Sequence, residues 1–224
     1  MFTGLIQALG RIKPLGGDKW QINCVGGDIS AIMQDLAHGD SVAVDGVCLT
    51  VEDILQDGFI VTASPETLRK TILVDVNDSH YVNLETSLRV GSKVGGHFVM
   101  GHVDGVGQLV ATLQTASSWE MTFTAPDAIA RYLVPKGSIA INGISLTIAD
   151  YQPEQNQFTV AVIPITYTET NLRYLTPGSP VNLEGDIIGK YVEKFTRLAT
   201  KDSQYCVPTQ EFITPAFLSE NGYL

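Results

Sequence analysis

Two ten-residue stretches, 97 positions apart, nearly coincide. Val42-Ala-Val-Asp-Gly-Val-Cys-Leu-Thr-Val51 aligns without gaps to Ile139-Ala-Ile-Asn-Gly-Ile-Ser-Leu-Thr-Ile148, with four identities and six swaps between side chains of similar shape. Gly4–Gly10 matches Gly101–Gly107 at the same offset. Pro65–Thr71 matches Pro164–Thr170, and Val82-Asn-Leu-Glu85 matches Val181-Asn-Leu-Glu184, both at offset 99. The drift of two residues falls in one turn, near Asp57-Gly58 in the first half and Pro153 to Asn156 in the second. A period this long is not a solenoid unit. It is the size of a small domain, so the chain is two copies of one fold.

Each copy reads mainly as strands. Ser41–Val44 and Leu49–Asp53 flank Asp45-Gly46, and Ile139–Ile141 and Leu146–Ala149 flank Asn142-Gly143. Asp-Gly and Asn-Gly between β-branched runs are hairpin signals, because both turn residues must adopt positive φ. Further strands are expected over Phe2–Ile12, Gln21–Val25, Phe59–Ala63 and Val82–Glu85, with counterparts at Val99–Leu109, Glu120–Thr124, Phe158–Ile163 and Val181–Glu184. Short helical stretches are expected at Ile29–Leu36 and Ala128–Leu133. The fold class is therefore all-β: tandem duplicated six-stranded Greek-key β-barrels followed by a C-terminal α-helix. The boundaries read as 1–97, 98–187 and 188–224. From Ile187 onward, Ile188, Tyr191, Val192, Phe195 and Leu198 recur at helical spacing. That stripe docks on its own barrel or on another copy of the chain. The last 20 or so residues, with Pro208, Pro215 and Gly222, read as irregular.

Composition removes several function classes. Fourteen Lys+Arg against 24 Asp+Glu give a net charge of −10, which disfavours nucleic acid and anionic membrane surfaces. Apolar runs are far shorter than the roughly 20 residues of a membrane span. The N-terminal run lacks the basic and apolar regions of a signal peptide, so none is expected. The three cysteines, Cys24, Cys48 and Cys206, form no Cys-x-x-Cys pair. A disulfide scaffold, a zinc site and an Fe–S cluster are disfavoured, and a reducing, cytoplasmic setting is expected. Phosphate-loop, dinucleotide and nucleophile-elbow motifs are missing from the sequence.

The remaining chemistry-bearing residues are few. His97 and His102 lie in a glycine-rich run, Gly95 to Gly105, at a spacing that suits neither a strand nor a helix metal pair. Both could be structural, while the glycines around them permit close approach of a backbone or a flat ligand. Cys48 could be a small buried hydrophobe. Its counterpart is Ser145, however, and Thr50 and Thr147 follow two residues on, on the same strand face. Two related pockets, each lined by a small polar group, is the reading that uses all of these.

Together the motifs resemble the riboflavin synthase α-chain family. Met1-Phe-Thr-Gly4, Asp45-Gly-Val-Cys-Leu-Thr50, Glu66-Thr-Leu-Arg-Lys-Thr71, Gly95-Gly-His-Phe-Val-Met-Gly-His-Val-Asp-Gly105, Lys136 to Thr147 and Lys190-Tyr-Val-Glu193 carry the likeness, collinearly to about residue 198. The resemblance implies a homotrimer of double-barrel subunits joined through the C-terminal helix. It implies dismutation of two 6,7-dimethyl-8-ribityllumazine molecules to riboflavin and 5-amino-6-ribitylaminouracil, without metal or cofactor. The facing pockets would come from the N-terminal barrel of one subunit and the C-terminal barrel of its neighbour.

By motif, the resemblance places Gly4, Leu5, Ile6, Cys48, Leu49, Thr50, Thr62, Ala63, Ser64, Glu66 and Thr67 in the N-terminal pocket. It places Gly101, His102, Val103, Ser145, Leu146, Thr147, Thr159, Val160, Ala161, Val162, Ile163 and Pro164 in the C-terminal one, with Lys136 nearby. Phe2 would pack beside the ligand. Cys48, Ser41 and His102 are the groups expected to assist nucleophile addition or proton transfer. The rival reading is a non-catalytic lumazine- or flavin-binding relative on the same double barrel. The intact Gly95-Gly-His97 and Gly101-His102 favour the enzyme.

Overall fold

A computed structural model describes residues 1–201 and 215–222. Met1–Ile187 forms one compact unit and Ile188–Leu224 a second. In the first unit, β1 (Ala8–Gly16), β2 (Lys19–Gly27), β3 (Ser41–Val44), β4 (Val47–Leu55), β5 (Gly58–Thr62) and β6 (Tyr81–Thr86) close into an antiparallel barrel in the order β1-β2-β5-β4-β3-β6. β7 (Gly105–Gln114), β8 (Trp119–Thr124), β9 (Ser138–Ile141), β10 (Ile144–Gln152), β11 (Gln157–Val162) and β12 (Pro180–Gly185) close a second barrel in the equivalent order, β7-β8-β11-β10-β9-β12. Closure leaves neither sheet with an open edge.

The copies agree in register. Ser41 faces Thr50 and Ala43 faces Cys48 across the first hairpin; Ser138 faces Thr147 and Ala140 faces Ser145 across the second. Both two-residue turns have the positive φ that their sequences demand: Asp45 47° and Gly46 74°, Asn142 45° and Gly143 80°. A bulge recurs between Val51 and Asp53 and between Ile148 and Asp150. Alternation sends Leu49, Val51, Phe59 and Val61 into the first core, and Leu146, Ile148, Phe158 and Val160 into the second. Each fully buried Phe or Leu of this kind stabilises by roughly 1.5–3 kcal/mol. Cys48, Thr50, Ser145 and Thr147 are left on the outer faces.

Short helices cover the barrels: α1 (Ile29–Met33), α2 (Pro65–Lys70), α3 (Asp127–Ala130) and α4 (Pro164–Glu169). α2 and α4 begin on proline, which suits the first turn because its missing N–H is unpaired there anyway. The strands expected from Phe2 and from Val99 begin later than the apolar pattern suggests. Residues 3–7 and 101–104 are irregular, because Gly4 and Gly101 turn the chain at φ 76° and 78°. Only Phe2 and Val99 pair, as an isolated bridge.

In the second unit, α5 (Ile187–Lys201) exposes Ile188, Tyr191, Val192 and Phe195. α6 (Pro215–Glu220) replaces part of the tail read as irregular. The rest of that reading, including Pro208, lies outside the described residues, as does Cys206. Among the described residues no helix is long and apolar enough to cross a membrane.

Candidate active site

The N-terminal segment and the linker between the barrels cross over. Glu85 on β6 receives Thr3 N at 2.7 Å and Gly4 N at 2.9 Å, fixing the start of the chain to its own barrel. Glu184 on β12 does the same for the linker, receiving Met100 N at 2.6 Å and Gly101 N at 2.9 Å. Each strap then reaches the opposite hairpin. Gly4 O accepts from Ser145 N at 2.9 Å, and Gly101 O accepts from Cys48 N at 2.9 Å. A Cβ on Gly101 would lie 2.6 Å from Cys48 Cβ, and one on Gly4 would lie 2.6 Å from Ser145 Cβ. Only glycine allows this approach at these φ values. Phe2 is sealed between the straps, against Ala43, Val99 and Ala140.

The crossing changes which pocket each strap serves. A cavity of about 380 Å³ on the first barrel is lined by Cys48, Glu66, Thr67 and Lys70 together with Gly101, His102, Val103 and Asp104. Gly101–Val103 therefore stand at the N-terminal cleft, not the C-terminal one expected for them. Val103 packs on the first core and Ile6 on the second. Gly4 likewise touches Ser145, so Gly4–Ile6 go with the C-terminal barrel. The cavity is large enough for a bicyclic heterocycle.

α2 is held at the cleft wall by its cap: Ser64 Oγ accepts from Thr67 N at 3.2 Å. Thr71 Oγ1 donates to Thr67 O at 2.8 Å. Glu66 pairs with Arg69, which holds its carboxyl below the usual range. Thr50 and Thr62 lie opposite each other across β4 and β5, with Thr50 exposed and Thr62 Oγ1 buried. Ala63 is buried in the first core.

Ser41 is not brought to this cleft. It lines a separate cavity of about 330 Å³ with Asp35, Asp40 and Arg89. The hairpin register explains the separation, since Ser41 lies opposite Thr50 while Cys48 lies opposite Ala43. Alternation also sorts the other expected residues. Leu49, Leu146, Val160 and Val162 are buried in the cores, so only their backbones can meet a ligand. Thr159 and Ala161 face outward, with Thr159 Oγ1 3.0 Å from Thr122 Oγ1. Ile163 and Pro164 start α4 at the surface. Lys136 has φ 68° where the first copy uses Gly39 at 86°, a conformation a non-glycine side chain rarely takes.

The C-terminal counterpart has a group that the sequence left open. His97 is 9% exposed, and its Nδ1 lies 2.7 Å from Ser145 Oγ in a hydrogen bond. Desolvation pushes its pKa down, with Asp186 pulling the other way. Nε2 is buried and has no hydrogen-bond partner among the described residues. The glycines at 95 and 96 were the available signal, since a Cβ at Gly96 would lie 2.7 Å from Ser145 Cβ. No group of three or more His, Cys, Asp or Glu that could hold a metal occurs among the described residues.

The Lumazine binding domain family matches the chain twice, at residues 3–87 and 100–186. Riboflavin synthase of Bacillus subtilis (strain 168) is 38% identical over 225 residues, covering all of both chains. That of Actinobacillus pleuropneumoniae is 41% identical over 196 residues, 87% of this chain and 89% of the relative. A solved structure of LumP complexed with riboflavin superposes with a TM-score of 0.73 at 24% identity, covering 83% of this chain and 99% of that one. At that identity the superposition shows the shared fold, while the full-length relatives show the lineage. The chain belongs to the riboflavin synthase family and carries the lumazine-binding domain twice.

Proposed function

We propose that this protein is a riboflavin-forming transferase. It moves a four-carbon unit between two molecules of 6,7-dimethyl-8-ribityllumazine, giving riboflavin and 5-amino-6-ribitylaminouracil. One observation carries the reading: the same hairpin is presented outward twice, with Cys48 and Thr50 on one barrel and Ser145 and Thr147 on the other. A reaction between two copies of one molecule needs two like clefts. Holding both lumazines in reacting register contributes roughly 7–11 kcal/mol through effective molarity. The lumazine ring delocalises the carbanion formed at its own methyl group, so binding and proton handling fall to the protein.

In the N-terminal cleft, Cys48 and His102 stand at the same cavity and take the addition and proton-transfer roles. Ser41 is better placed to shape the neighbouring wall. In the C-terminal cleft, the Ser145–His97 pair supplies a hydroxyl with an adjacent base. Exposed Ile188, Tyr191, Val192 and Phe195 on α5 support self-association into a homotrimer. There the reacting clefts belong to neighbouring protomers of a cytoplasmic enzyme. Incubating the purified protein with lumazine alone tests the activity. Two lumazines consumed per riboflavin formed is expected. Stoichiometric binding with no riboflavin would instead make the chain an antenna-type binder.

A further inference from the structure

The two hairpin tips meet at a seam built from buried amides. Asn83 Nδ2 donates to Asn142 O at 2.9 Å, and Asn182 Nδ2 donates to Asp45 O at 2.9 Å. Asn83 N donates to Asp45 Oδ1 at 2.7 Å, and Asn182 N donates to Asn142 Oδ1 at 2.8 Å. Asn171 N donates to Asn83 Oδ1 at 2.8 Å, and Ile72 N donates to Asn182 Oδ1 at 2.9 Å. Each pair relates equivalent residues of the two copies. The equivalence fails in two places that touch. Position 45 is a carboxylic acid where 142 is an amide, and Asn171 stands where the first copy has Ile72. Asn171 Nδ2 donates to Asp45 Oδ1 at 2.9 Å.

The network does not require a carboxylate at 45. Asn142 shows that an amide oxygen accepts the same backbone bond at the equivalent turn. Burying an acid costs more than burying an amide unless its charge is met. Asp45 is 2% exposed, and the side-chain bonds it accepts from Asn83 N and Asn171 Nδ2 both fall on Oδ1. It lines a cavity of about 200 Å³ between the barrels, whose other lining groups include Asp75 and His80. Tyr81 and Tyr174, stacked at 4.2 Å, also border it.

We propose that this seam cavity binds a small organic cation with N–H donors, an ammonium or guanidinium head, on Asp45 Oδ2. The volume holds several water-sized groups, enough for such a head and a short chain. The neighbours of the acid on the facing elements are the neutral amides Asn83, Asn142 and Asn171. Asp75, His80 and the two tyrosines border the cavity. Arg11 and Arg173 lie over the rings of Tyr81 and Tyr174, and each is committed to that tyrosine's hydroxyl. With no cation present, burial pushes Asp45 up to about 8. A bound cation would therefore displace a proton.

Methylguanidinium is titrated into the full-length protein at pH 6, 7 and 8 by calorimetry, with tetramethylammonium at equal ionic strength as the control that lacks N–H donors. The expected result is saturable binding of methylguanidinium that tightens up to about tenfold per pH unit as the proton leaves Asp45, with no binding of the control. His80→Gln retains the tightening, which separates Asp45 from the imidazole bordering the cavity. Asp45→Asn abolishes binding while folding normally. No saturable binding, equal binding of tetramethylammonium, affinity independent of pH, or undiminished binding in Asp45→Asn overturns the proposal. If Asp45→Asn does not fold, the wild-type pH series and the control decide alone.

Discussion

The two clefts are built on the same hairpin and surround it with different side chains. Around the first stand Cys48, His102, Glu66 and Lys70. The equivalent positions of the second are Ser145, Leu5, Ile165 and Glu169. Leu5 and Ile165 are exposed apolar side chains. The histidine of the second cleft is instead His97, which has no counterpart in the first copy and is buried against Ser145. A symmetric scaffold therefore presents a thiol beside an open, charged wall on one side. On the other it presents a hydroxyl paired with a desolvated imidazole. Under the proposed reaction, two identical substrates meeting such a pair would be handled unequally, as one that gives and one that receives four carbons must be.

The largest effect is expected at the straps. Gly101→Ala forces a Cβ onto Cys48 at a positive φ, and Gly4→Ala does the same to Ser145. Each should cost about 2 kcal/mol or more, read by urea unfolding. Displacing either strap should lower turnover by at least about a hundredfold. If Gly101→Ala leaves turnover intact, the linker does not shape the first cleft. Next come the clamps. Glu184→Ala strips partners from Met100 N and Gly101 N, and Glu85→Ala from Thr3 N and Gly4 N. Each should lose roughly 1–3 kcal/mol.

Cys48→Ser makes the first cleft like the second. Folding should be unaffected and turnover should fall about tenfold, since a hydroxyl is the poorer nucleophile at its own pKa. Unchanged turnover would reduce Cys48 to packing.

His97 offers a pH signature. Its folded pKa lies below the unfolded value of about 6.5, so the unfolded chain takes up the proton first. The contribution of His97 is full above pH 6.5 and falls as pH drops below it, by up to about 1.4 kcal/mol per unit until the folded pKa is reached, while the raised Asp45 acts in the opposite sense as pH climbs toward 8. In urea titrations from pH 5 to 8 the difference between wild type and His97→Phe should carry that slope, while the difference between wild type and Cys48→Ser should be flat. The smallest effect is at the caps. Ser64→Ala should cost about 1 kcal/mol or less. Ile163→Ser, which supplies the cap that α4 lacks, should gain a few tenths.

The barrels were legible because their determinants are local. Alternating β-branched residues set the faces, and Asp45-Gly46 and Asn142-Gly143 set the turns. The repeat then fixed the register of both copies. The crossing was not legible, because it rests on contacts far apart in sequence that no local pattern announces, Gly4 to Ser145 and Gly101 to Cys48. A repeat alignment assigns each strap to its own copy. The repeated glutamate that ends Val-Asn-Leu-Glu was visible, but its partners were not. Ser41 shows the limit on a smaller scale: the hairpin register puts it on the right face but beside a different cavity.

Whether the unequal clefts form one site across protomers is tested by mixing two impaired variants. Cys48→Ala with His102→Ala disables the first cleft, and Ser145→Ala with His97→Ala disables the second. The two chains are unfolded, mixed in equal amounts and refolded together, and riboflavin formation is measured. If each site takes one cleft from each of two neighbours, the mixture should regain about a quarter of wild-type activity, the fraction of random neighbour pairs with both clefts intact. Activity no higher than the mean of the two parents would contradict a site shared between protomers.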